Sequence, residues 1–275
     1  MDVPVFSPSV QFGIGIGFGA LIGYLAYQAG ALHRSGAWAA ALVGGLVFGF
    51  GGIAWAVLLL TFFLSSSALS RAYPEQKNNL SEKFSKGSRR DYGQVLANGG
   101  LGALLACLHA LFPDQIWLFI AFAGSMAAVN ADTWATELGV LSPVPARLIT
   151  TGRVVERGAS GGVTVLGYLA AFGGATLIGL VAGAFAFSEN FLALAAAVIL
   201  AGLVGSTLDS FLGATVQGIY FCPVCQKETE SHPLHRCGNK TSHLRGWRWL
   251  DNDWVNFISA VVGALVSAAF WKLFL

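Results

Sequence analysis

Long apolar runs broken by short polar connections set the pattern of the chain. They fall near 9–31, 94–112, 116–140, 161–187, 191–220 and 254–275. Each is close to the roughly 20 residues a helix needs to cross about 30 Å of hydrocarbon. The stretch 36–70 is also apolar, with GFGG at 49–52; it is too long for one span and short for two, which predicts a tight helical hairpin. Segments of about ten residues with strict apolar/polar alternation, the mark of a membrane barrel, are missing. The pattern therefore predicts an all-α fold, a polytopic transmembrane helical bundle of about 7–8 crossings, forming one integral membrane domain over 1–275. Its cytoplasmic loops are expected at 71–93, 141–160 and 221–253.

Composition agrees: 55% of residues are hydrophobic and only 11% charged, far too apolar for a water-soluble domain of this length. Thirty-five glycines suit helices whose backbones approach closely in lipid. The N-terminal MDVPVFSPSV has no basic n-region, so the first helix is expected to remain in place. The charge distribution is more telling than the net +2. Placing 71–93 in the cytoplasm puts fifteen of the sixteen Lys and Arg on that side and leaves Lys272 outside, as the positive-inside rule requires. Both termini then face outward, and the sequence complexity gathers on one membrane face. No feature points to nucleic acid; the oligomeric state is not legible.

The polar exceptions to the apolar pattern carry the candidate chemistry. NADTWATELG, 130–139, ends an apolar run yet holds Asn130, Asp132 and Glu137. On an ideal helix Asn130, Thr133 and Glu137 share a face, whereas Asp132 lies about 160° from Asn130. Either the helix is irregular there or it is wedged between two polar neighbours. Asp209 lies in a stripe of small and polar groups that includes Gly205, Ser206, Gly213 and Gln217. An acid at a helix centre costs about 2.5–3.5 kcal/mol on insertion scales, so three of them near one face favour a site over headgroup pairing. WLDNDWVN, 249–256, adds Asp251 and Asp253 just before the last helix. One can act as an N-cap; both offer the hard oxygens that Mg²⁺ prefers.

Basic and glycine-rich segments flank these acids. In KFSKGSRRDYGQ, Lys83 and Lys86, like Lys77 just upstream, suit anionic headgroups, while Arg89 and Arg90 open into the stripe of Gln94 and Asn98 and suit bidentate phosphate binding. TTGRVVERGASGGVT, 150–164, sets glycines and hydroxyls at a helix N-terminus, where free N–H groups and the helix dipole favour an anion. It is not a Walker A loop. In CPVCQKETESHPLHRCG, Cys222, Cys225 and Cys237, with His232 or His235, have the spacing of a structural zinc loop; the set favoured is Cys222, Cys225, His235 and Cys237, with no open coordination position, and a redox-active or unligated loop is the alternative.

Taken together, SRRDYGQVLANGG, NADTWATELG, TGRVVERGASGGVT, GSTLDSFLGATVQ and WLDNDWVN resemble, block by block and in order from about residue 71 to the C-terminus, the membrane family that contains phytyl-phosphate kinase of the vitamin E (tocopherol) pathway and transmembrane protein 19. The resemblance implies a CTP-dependent kinase that converts an isoprenyl monophosphate, phytyl or geranylgeranyl phosphate, to the diphosphate in a prokaryotic inner membrane or plastid-type envelope. Phytol and dolichol kinases and CDP-diglyceride synthases are more distantly similar. On this reading Asp132, Asp209 and Asp253 hold Mg²⁺, with Glu137, Asp251 and Asn98 in support. Arg89 and Arg90 bind phosphate, and Arg153, Gly161, Gly162 and Thr164 cradle the CTP phosphates. The competing readings are a CTP-dependent lipid cytidylyltransferase, a transporter of an anionic or isoprenoid solute, and a non-catalytic scaffold.

Overall fold

The structure is a computed structural model and describes residues 8–73, 89–186 and 191–274. Lys77, Lys83, Lys86 and the SEN connection at 188–190 lie outside the described residues. Eight helices appear among those described: α1 (Pro8–Gln28), α2 (Arg34–Gly51), α3 (Ile53–Arg71), α4 (Tyr92–Leu111), α5 (Ile116–Gly139), α6 (Val165–Ala186), α7 (Phe191–Thr215) and α8 (Asn252–Phe274). Seven, all but α2, are long and apolar enough to cross a membrane. The predicted hairpin at 36–70 is α2 and α3, joined through Gly52 at φ 79°, a conformation that glycine adopts without penalty.

Side-chain registers fix the directions. Gly36 packs on Arg90 and Gly99 on Val43, so α2 runs parallel to α4. Trp55 stacks on His109 and Phe122, and Ser70 bonds Glu137, so α3 runs with α5 and the chain reverses at Gly52. Gly174 lies against Asn130 and Gly167 against Gly139, making α6 antiparallel to α5. Continuing in this way, the connections 29–33, 140–164 and 216–251 gather at one end of the bundle, together with the end of α3 and the start of α4, the arrangement that the basic-residue asymmetry predicts.

At the centre is α5, buried without a break from Leu118 to Ala131. A helix apolar all round belongs in a core, and this one packs against α3, α4, α6, α7 and α8. Small residues permit the approach: a side chain at Gly124 would strike Ser267 and the Gly263 carbonyl of α8, and one at Gly205 of α7 would strike Ala128. Burial ends at Asp132, so the polar turn of α5 emerges where the bundle opens.

Five short strands lie in the described loops, and hydropathy does not announce them. β1 (Arg147–Leu148) and β2 (Gly162–Val163) form a two-stranded hairpin, so the sixth helix starts at Val165 and not near 161. β3 (Ile219–Cys222), β4 (Lys227–Thr229) and β5 (Ser242–Arg245) form an antiparallel sheet in the order β4-β3-β5. This ribbon ends α7 at Thr215, short of the expected 220.

Candidate functional site

α5 is regular through its polar turn and is wedged between two polar neighbours. Fully buried Asn130 accepts hydrogen bonds from Ser65 (3.0 Å) and Ser66 (3.1 Å) of α3 and donates from Nδ2 to the Gly174 carbonyl of α6 (2.9 Å). Glu137 faces α3 as well, accepting from Ser70 at 2.6 Å. Asp132, turned the other way, enters a polar cavity of about 790 Å³. There it meets Asp209 of α7 and Glu230 of the ribbon, close enough for the three carboxylates to repel one another. Ser259 of α8 donates to Asp209 Oδ2 at 3.3 Å.

Four arginines line the same cavity: Arg71, Arg90, Arg157 and Arg236. Arg90 is fixed by its backbone, whose carbonyl accepts from His33 N at 2.9 Å and whose amide donates to Ala31 O at 3.0 Å. Its guanidinium lies over Phe62 (5.4 Å) and Phe63 (5.8 Å). Burial lowers its pKa to about 10, opposed by the charge of Glu137, so it remains a cation at neutral pH. The following residues start α4 with a capping box: Gln94 N donates to Asp91 Oδ1 (3.0 Å) and Asp91 N to Gln94 Oε1 (3.3 Å).

The glycine-rich turn closes another wall. Gly161, at φ +80°, lies so close to Ala214 of α7 that an added Cβ would sit 2.5 Å from its backbone. Thr164 caps α6 by accepting from Gly167 N at 2.9 Å. Ser160 donates to Gln217 Oε1 (2.7 Å), and Gln217 Nε2 donates to Glu230 Oε1 (3.0 Å), a relay that ties the turn to the ribbon.

Not every residue named from the sequence reaches the cavity. Asp132, Glu137, Asp209, Arg90, Asn98, Gly161, Gly162 and Thr164 line it; Arg89, Arg153, Asp251 and Asp253 do not. Arg89 is exposed beside Gly30, and Arg153 is exposed at the tip of the β1–β2 connection. Asp251 is the N-cap of α8, accepting from Trp254 N at 3.1 Å. Asn252 and Asn256 face the cavity in place of Asp253; they are four residues apart and share a helix face with Ser259, a phase readable from sequence. Glu230 and Arg236 were missed because a polar loop gives them no contrast.

Cys222, Cys225, His235 and Cys237 do converge, their ligand atoms all within 4.8 Å of one another. Cys222 Sγ and Cys237 Sγ are 3.6 Å apart, and Cys225 Sγ and His235 Nδ1 3.5 Å. The edge of a tetrahedron built on Zn–S bonds of about 2.3 Å is about 3.8 Å, so this cluster can hold zinc. Hydrogen bonds from Asn239 and His235 pull the Cys237 thiol down to about 6, whereas the neighbouring thiols Cys237 and Cys222 push Cys225 up to about 11.

A helical bundle with an acidic and arginine-rich cavity at one end defines a polytopic integral membrane protein with a polar site at its surface. The chain belongs to the integral membrane protein DUF92 family, whose model matches residues 17–264; this is the membrane family that the motifs resemble. It is 34% identical to Protein PGR of Arabidopsis thaliana over 95% of this chain and 96% of that protein. A membrane protein of Methanocaldococcus jannaschii is 29% identical over 97% of each chain. Protein VTE6, chloroplastic, of Arabidopsis thaliana is 27% identical over 86% of this chain and 64% of that protein. No solved structure matches.

Proposed function

We propose that the protein is a CTP-dependent kinase that transfers a phosphoryl group to an isoprenyl monophosphate, giving the diphosphate, at the cytoplasmic membrane face. One observation carries the reading: Asp132, Asp209 and Glu230, with Arg71, Arg90, Arg157, Arg236 and the turn Gly158–Thr164, border a single cavity at the basic end of the bundle. The likeness to Protein VTE6 supports the same class.

The donor set fits Mg²⁺, a hard cation commonly held by few carboxylates together with substrate phosphates. Asp132, Asp209 and Glu230 would hold it, with Glu230 in the place first given to Asp253; when bound, it would neutralise charge on the donor phosphates. Arg157, Arg236 and the glycine turn bind the nucleotide phosphates. Arg90, steadied by Glu137, binds the acceptor phosphate. That phosphate brings its own nucleophile, an ionised oxygen, which attacks the γ-phosphorus of CTP; the bond from that phosphorus to the β-bridging oxygen breaks, and CDP leaves. No strong general base is needed, and positioning with charge neutralisation supplies the rate. Zinc in the Cys₃His cluster braces the ribbon and takes no part in the transfer.

The test is product analysis of purified protein incubated with prenyl monophosphates and CTP labelled at either the γ or the α position. The γ label should enter a lipid diphosphate as CDP is released. Transfer of the α label to lipid with loss of pyrophosphate would establish a cytidylyltransferase. Solute flux in liposomes without either product would establish a transporter.

A further inference from the structure

A second cavity of about 280 Å³ lies between α1, α2, α3 and α4 and is apolar along almost its whole length. Phe48 and Ile53 form its far end, Val43, Leu60 and Phe63 its sides. On α3 its lining runs from Ile53 to Phe63, about 15 Å at 1.5 Å per residue. At its near end stand Arg90, Gln94 and Asn98, and these same three residues line the polar cavity. Arg90 is the cation common to both, its guanidinium resting on the rings of Phe62 and Phe63. An apolar groove that ends on a half-buried cation, and continues from there into the acidic cavity, is complementary to a single hydrocarbon chain with an anionic head.

We infer that this groove holds the hydrocarbon tail of the phosphorylated acceptor, its phosphate on Arg90 and its reacting oxygen turned into the polar cavity. This deepens the proposed kinase reading and rests on it for the identity of the head group. A tail lodged between α2 and α3 orients the phosphate along the line from Arg90 to Asp132, and the groove's depth makes it the place where chain length is discriminated. A bilayer phospholipid brings two chains and a diester head, a poorer match for a single groove that ends on one cation.

Photolabelling without nucleotide tests the assignment independently of any turnover. The protein in phosphatidylcholine nanodiscs is irradiated with geranylgeranyl monophosphate carrying a diazirine at its tail end, and the adducts are mapped. They should fall on α2 and α3 between Ala40 and Phe63 and resist competition by excess phosphatidylcholine. In parallel, Ala56→Phe should weaken binding of geranylgeranyl phosphate about tenfold, the effect of displacing about two methylenes, while leaving binding of isopentenyl phosphate unchanged. Adducts on α7 and α8, competition by phosphatidylcholine, or equal loss for both ligands would overturn the assignment. Labelling in the groove by a protein that shows no CTP turnover would leave the tail site standing and refute only the kinase reading.

Discussion

Replacing Cys237 by Ser separates the ribbon's contribution from that of the bundle. Arg236 lies between His235 and Cys237, two of the four residues of the cluster, and reaches the polar cavity from there. Removing one ligand from a Cys₃His set opens it, and structural zinc sites of this kind supply about 10–16 kcal/mol of folding free energy to small peptides. The ribbon should loosen, withdrawing Arg236 and releasing Glu230 from its 3.0 Å bond with Gln217. Loss of one charge-assisted contact to phosphate costs about 1.5–3 kcal/mol, which is about a 10- to 150-fold rise in KM for CTP. The bundle should survive, because no residue of its core clusters lies between 216 and 250. The assay combines zinc content by mass spectrometry, CTP kinetics and thermal unfolding in detergent. Zinc lost with KM unchanged would refute the coupling; a collapse of the helical transition would refute the independence of the bundle.

Asn130→Ala removes three interhelical hydrogen bonds; at an average near 0.6 kcal/mol each, stability should fall by about 2 kcal/mol, measured by steric trapping. Gly161→Ala places a Cβ against Ala214 at a positive φ and should cost about 1–3 kcal/mol, visible as a lower unfolding temperature. Arg90→Gln should raise KM for the prenyl phosphate far more than KM for CTP, since Arg90 serves the acceptor; an equal effect on both, read from initial rates, would contradict that role.

Much of the fold was legible because membrane burial writes itself into hydropathy. The hairpin at 36–70 followed from run length and the glycines at its middle, and the prominence of Asp132 and Asp209 from the cost of placing acids in apolar helices. The cluster of three cysteines and one histidine that can hold zinc was readable from C-x2-C and the His and Cys downstream. What the sequence concealed was selection among neighbours. Arg90 differs from Arg89 only through backbone pairing with Ala31 and His33, contacts distant in sequence. Arg157 faces the cavity in place of Arg153 beyond the positive-φ turn at Gly152, a loop geometry that hydrophobic periodicity does not encode. Glu230 and Arg236 arrive on the ribbon that also carries the cysteine cluster. Their place in the cavity is set by the ribbon's position and not by any local sequence pattern.

The proposed transfer depends on carboxylates from α5, α7 and the ribbon forming one divalent-cation pocket. Titration of Mn²⁺ followed by electron paramagnetic resonance, on the purified protein and on Asp132→Asn, Asp209→Asn and Glu230→Gln, addresses it directly. Each substitution should weaken the same Mn²⁺ site, and CTP should tighten that site in the unsubstituted protein. Mn²⁺ binding that none of the three alters, or that CTP leaves unchanged, would contradict it.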